Sequence, residues 1–183
     1  MGTLAITSCG EPPRAPHSNS PLDSKPALPN HGAPRVPNPI DVSKYKSEPC
    51  TTLTTRQLQT LGLETSGTSE PRDPSGPQCT WNGPRDVKVN MVFIPNPGGL
   101  SDLYAIRNRF SRFSPQPPIN GFPSVLVNNE ANQVPNGICA YQVGINDHDA
   151  ISLRILETPG GDPCGDAKNI TKGVTRTIRH GGQ

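Results

Sequence analysis

The sequence predicts an α+β domain: an antiparallel sheet of about five strands packed against amphipathic helices, held by two disulfides and preceded by a disordered Pro-rich tether. Three observations carry that expectation. Short runs in which apolar and polar residues alternate have the period of strands with one covered face. Around these runs, apolar residues recur at helical spacing. Finally, Cys50, Cys79, Cys139 and Cys164 are even in number and widely spaced, as in exported chains that oxidise their cysteines in pairs.

The chain divides by composition into residues 1–9, 10–44 and 45–183. In the first segment, Ile6-Thr7-Ser8-Cys9 has the order of a lipobox, with Cys9 as the residue to be acylated. The residues ahead of Cys9 are too few and too polar for a complete signal, which needs a basic start and about 7–15 apolar residues. The segment therefore reads as a signal remnant, with the translation start expected upstream. Residues 10–44 carry Pro12, Pro13, Pro16, Pro21, Pro26, Pro29, Pro34, Pro37 and Pro39 and no aliphatic period. Such a composition buries too little surface to offset chain entropy and is expected to form a disordered, semi-extended tether. Residues 45–183 have the size of one domain.

Within that domain, Thr54-Thr55-Arg56-Gln57 is a capping box, followed by Leu58 and Leu61 at helical spacing and then by Gly62. It predicts a short helix over 55–61. Residues 62–78 read as loop. Cys79-Thr80-Trp81 opens a strand, and Val87, Val89, Met91 and Phe93 alternate along a second. Behind Ser101 as an N-cap, Leu103, Ile106, Phe110 and Phe113 predict an amphipathic helix, with Arg107, Arg109 and Arg112 on its solvated faces. Further strands are expected over 122–128, 138–145 and 150–156, the last two joined by the turn Asn146-Asp147-His148-Asp149. Asp162-Pro163 starts a final helix with an N-cap and a first-turn proline. Ala167, Ile170, Val174 and Ile178 line its apolar face. Lys168, Lys172 and Arg176 make a separate i, i+4 stripe that complements the helix dipole, with attraction to anionic lipid or wall polymer as a second reading.

Familiar chemistry has no sequence motif here. There is no G-x-S-x-G, no H-E-x-x-H and no C-x-x-C. Gly160 to Gly165 has the glycine spacing of a phosphate loop, but Asp166 replaces the lysine, so the segment reads as a helix entry. Asp147-His148-Asp149 reads as an exposed turn rather than a cation site. A net charge of +2 is too small and dispersed for nucleic-acid binding. No catalytic residue, cofactor or metal ligand is expected. The four cysteines after Cys9 allow three pairings. Cys50–Cys79 and Cys139–Cys164 are expected, because each joins a helix entry to a neighbouring strand.

The series Pro49-Cys50-Thr51-Thr52-Leu53-Thr54, Leu61-Gly62-Leu63, Cys79-Thr80-Trp81, Gly121-Phe122-Pro123, Cys139-Ala140-Tyr141-Gln142-Val143 and Asp162-Pro163-Cys164 follows the lipobox and the tether. In that order it resembles the actinobacterial lipoproteins of the domain of unknown function 3558 family, over nearly the whole chain after residue 5. The resemblance implies an exported, membrane-anchored domain and carries over no catalytic residue. The expected role is that of an extracytoplasmic envelope lipoprotein, attached to the cell membrane by its lipid anchor. It would bind or scaffold without catalysis, toward an envelope protein, a lipid or a wall polymer. An envelope hydrolase or transferase with an unfamiliar site is the alternative.

Overall fold

The computed structural model describes residues 1–2, 27–131 and 133–181; Cys9 and residues 10–26 of the expected tether lie outside them. Seven strands form one sheet: β1 (Thr68–Glu70), β2 (Gln78–Asn82), β3 (Lys88–Phe93), β4 (Arg112–Ile119), β5 (Phe122–Asn128), β6 (Ile138–Gly144) and β7 (Ala150–Leu156). Their spatial order is β1-β2-β3-β7-β6-β5-β4, and every neighbouring pair is antiparallel. Four helices accompany it: α1 (Ser43–Ser47), α2 (Thr55–Thr60), α3 (Leu100–Ala105) and α4 (Pro163–His180), with single 3-10 turns at Pro49–Thr52 and Arg107–Arg109. Among the described residues, no helix is long and apolar enough to cross a membrane.

Alternation decides which side of the sheet is covered. Cys79 and Trp81 of β2, Val89, Met91 and Phe93 of β3, Cys139, Tyr141 and Val143 of β6, and Ile151, Leu153 and Ile155 of β7 all share one buried face. The apolar stripe of α4 packs against that face, with Ala167, Ile170, Val174 and Ile178 buried as the helical period requires. Asp162 caps α4 by accepting from the Gly165 N–H at 2.9 Å, and Pro163 occupies its first turn. On the opposite face, Leu100, Leu103 and Tyr104 of α3 cover Val125 and Val127, making a second, smaller core. The rest of that face is mixed: Val92, Ile138 and the exposed Leu156 lie on it beside polar residues, and Asn90 donates to Gln78 Oε1 at 2.9 Å and to Thr80 Oγ1 at 3.1 Å along it.

The sheet has seven strands rather than the expected five. The two additions are its edges. β1 is three exposed residues within the stretch read as loop, held by pairing with β2. β4 contains Pro115, Pro117 and Pro118, which a central strand could not accommodate but an edge strand can, with its register shifting between Gln116 and Ile119. The expected helix through Phe113 is correspondingly shorter. α3 stops at Ala105, and Phe113 reaches the same apolar patch from β4, its ring set edge-on to Tyr104 at 4.9 Å.

Residues 27–44, read from composition as tether, pack on the body. Val36 and Val42 are buried. The Val36 N–H donates to Asp147 at 3.3 Å, the Ile40 N–H to the Ile145 carbonyl at 3.2 Å, and Asn146 Nδ2 to the Ile40 carbonyl at 2.9 Å. Proline sets backbone angles without forbidding burial, so a few apolar anchors between prolines are enough to dock such a segment on the turn that joins β6 to β7.

Both expected disulfides are present. Cys50–Cys79 ties the 3-10 turn before α2 to β2, and Cys139–Cys164 ties the start of β6 to the first turn of α4.

Candidate functional site

α2 and α4 meet at a groove of about 300 Å³ lined by Arg56, Gln57, Thr60, Leu61, Asn169, Lys172, Gly173 and Arg176. The contact is made by one side chain with four uses. Gln57 closes the capping box by accepting from the Thr54 N–H at 2.7 Å, and its Oε1 also accepts from the hydroxyls of Thr54 at 3.0 Å and Thr177 at 2.8 Å. Its Nε2 donates to the Gly173 carbonyl at 3.0 Å. Gly173 packs closely on the segment just ahead of α2, since a Cβ there would stand 3.0 Å from a Leu53 methyl. Glycine inside a helix costs about 1 kcal/mol relative to alanine, so its presence in mid-α4 marks this close approach.

The groove is electropositive. Arg56 rises from α2 and Lys172 and Arg176 from α4, all exposed, and among the described residues no carboxylate lines it. Among the described residues the ion pairs are Arg35–Asp147 and Lys46–Asp149, so none of the three groove cations is neutralised by a close partner. Gln57 has committed its polar atoms to the fold, which leaves the amide of Asn169 and the hydroxyl of Thr60, which donates to the Arg56 carbonyl at 2.8 Å, as the uncharged polar groups lining the groove. Leu61 and the Gly173 Cα supply an apolar floor, extended by the methylene stems of the cations.

The family model described as protein of unknown function (DUF3558) matches residues 4–176. The chain belongs to that family. No curated protein and no solved structure matches it.

Within this DUF3558 domain, the residues singled out in the sequence separate by role. Cys9 lies outside the described residues. Cys50, Cys79, Cys139 and Cys164 are cross-links. The turn Asn146 to Asp149 is consumed by the fold: Asp147 pairs with Arg35, Asp149 with Lys46, and His148 Nδ1 lies 3.0 Å from the Pro97 carbonyl. Lys172 and Arg176 of the α4 stripe enter the groove, whereas Lys168 does not line it. Arg56 and Asn169 were not foreseen as site residues.

A carboxyl cluster marks the other end of α4. Burial pushes the Glu157 carboxyl above its ordinary range, and Asp166, through its charge and a shared hydrogen bond, and Asp162 push it further, against the opposing pull of Arg85. The hydroxyl beside it, on Thr158, donates to the Arg85 carbonyl at 3.3 Å. A carboxyl held above its unfolded value binds its proton more tightly when folded. Its ionisation therefore opposes folding, beginning as pH rises through the ordinary carboxylate range and complete above the raised folded value. Glu157→Gln should raise the melting temperature at pH 7, and the advantage should shrink as pH falls through the carboxylate range. Melting curves at neutral and acidic pH check this; a variant less stable at pH 7 would show that the Glu157 carboxylate contributes a favourable contact instead.

Proposed function

We propose that this chain is an exported lipoprotein of the actinobacterial cell envelope, anchored by acylated Cys9, whose folded body binds a ligand rather than catalysing a reaction. The cysteine pairing carries the reading. The four cysteines of the body close two disulfides among themselves, which is the chemistry of an oxidising, extracytoplasmic compartment. The fifth, Cys9, stands at the lipobox position, inside the span matched by the family model. Cys9 and Ala27 are 18 residues apart, a reach of at most about 65 Å, so the body works close to the membrane that holds it.

One acyl chain binds a membrane only marginally, while two or more anchor it stably. Expressed behind a complete lipoprotein export signal, the wild-type chain should be recovered in the membrane fraction. Cys9→Ala should shift it to the soluble fraction or the medium. Unchanged membrane retention of Cys9→Ala would remove the anchor from the reading. The electropositive groove between α2 and α4 supports a binding role, because Arg56, off the α4 stripe that serves the helix dipole, faces Lys172 and Arg176 across one opening, and among the described residues none of the three is in an ion pair.

A further inference from the structure

We infer that the α2–α4 groove takes the phosphate headgroup of an anionic phospholipid at the surface of the membrane beside which the chain is held. The inference rests on the lipid-anchored reading for its setting and on the groove for its chemistry. Three cations converge on one opening from two helices, Arg56 on one side and Lys172 and Arg176 on the other, with no carboxylate lining it among the described residues. α4 alone would present its cations as a stripe. α2 turns part of that stripe into a cleft, because the Gln57 bonds to Gly173 and Thr177 bring Arg56 across from it.

The floor separates a headgroup from a free phosphate ion. A site for inorganic phosphate surrounds the anion with N–H donors, commonly from backbone. This groove offers side-chain cations at the rim, the Asn169 amide and an apolar floor of Leu61 and cation methylenes. A glycerol-linked phosphate matches both parts, its charge meeting the rim and its carbon atoms lying on the floor. Guanidinium groups grip phosphate oxygens two at a time, and the groove holds two arginines.

The test uses the unacylated chain of residues 1–183 with its disulfides formed, so that capture by the groove is read separately from retention by an acyl anchor. Vesicles of phosphatidylcholine alone are compared with vesicles in which phosphatidylglycerol makes up half the lipid, by flotation. Binding is expected only to the second kind. A basic residue near an anionic surface strengthens binding about fivefold, so Arg56→Gln with Lys172→Gln and Arg176→Gln should weaken it about a hundredfold. Arg72→Gln with Lys88→Gln and Arg154→Gln removes the same charge from positions that do not line the groove and should weaken it far less.

Two single variants separate the groove from a diffuse basic helix. Arg56→Gln lies in the groove but off the α4 stripe, and Lys168→Gln lies on the stripe but outside the groove; Arg56→Gln should be the more damaging. The inference fails if the chain ignores phosphatidylglycerol, if the two triple variants weaken binding equally, or if Lys168→Gln matches or exceeds Arg56→Gln. Glycerol phosphate in solution is the remaining arm. Saturable binding of it without binding to the vesicles would make a soluble phosphate ester the ligand and overturn the lipid assignment. These results are independent of the fate of Cys9→Ala in cells, so loss of the anchor reading and loss of the groove reading remain distinguishable.

Discussion

Reduction of both disulfides should unfold the body under conditions in which the oxidised protein is stable. Cys50–Cys79 closes a separation of 29 residues and Cys139–Cys164 one of 25. In the chain-entropy model each such closure contributes about 3.5 kcal/mol, before native-state strain is subtracted. Together they approach the typical stability of a whole domain, about 5–15 kcal/mol. This domain has few aromatic residues, so packing leaves little reserve. The bridges also stand where sheet and helices meet. Cys164 pins the first turn of α4 to β6, and the same helix covers most of the larger core. The single tryptophan, Trp81, is fully buried two residues from Cys79, so its fluorescence reports the loss. Melts with and without reductant should differ by tens of degrees. Cys139→Ser with Cys164→Ser should lower stability by about 2–5 kcal/mol. A reduced protein melting within a few degrees of the oxidised one would show that the packed core alone is sufficient.

The inner part of the sheet was legible because alternation and burial agree there. β2, β3, β6 and β7 sit where expected, as does β5, although all seven of its residues are buried rather than alternating, and the starts of α4 and α2 follow their capping residues. The edges were not legible. β4 hides behind three prolines, and its pairing rests on an edge position that only the assembled sheet defines. A local signal did exist, since Asn120-Gly121 joins β4 to β5 with φ of 50° and 80°, the two-residue turn suited to hairpins. Phe110 and Phe113 continued a helical period by coincidence: both reach the patch covered by α3, but from beyond its end. Residues 33–42 were misjudged because composition averages over prolines and conceals the few apolar anchors between them.

The groove shows a different limit. The α4 stripe was visible in the sequence, and its dipole reading is physically sufficient for an isolated helix. What changes its meaning is Arg56, placed opposite by hydrogen bonds from Gln57 to residues 116 and 120 positions away. No local pattern encodes that juxtaposition. Gly173 was the available hint, a helix-weakening residue where α4 packs closely on Leu53 just ahead of α2.

Trp81→Ala should be among the most destabilising single substitutions in the chain. The indole is fully buried in β2, opposite Val89, in the layer shared with Met91, Ile155 and α4. Gly67 lies against its edge so closely that a Cβ there would come within 2.8 Å of the ring atoms Cδ1 and Nε1. Removing the ring leaves a cavity that strands fixed by ladder bonds and a disulfide cannot close, at a cost of about 3–5 kcal/mol. Among the described residues the Nε1–H has no hydrogen-bond partner, and burying an unsatisfied donor itself costs about 1–3 kcal/mol. Trp81→Phe therefore loses volume but also sheds that penalty, and it should fall well short of the alanine variant. Denaturant titrations followed by circular dichroism test the order, since both variants lack the fluorophore. If Trp81→Phe is as damaging as Trp81→Ala, the N–H carries no penalty and the fit of the full indole against Gly67 and the Cys50–Cys79 bridge is what the core requires.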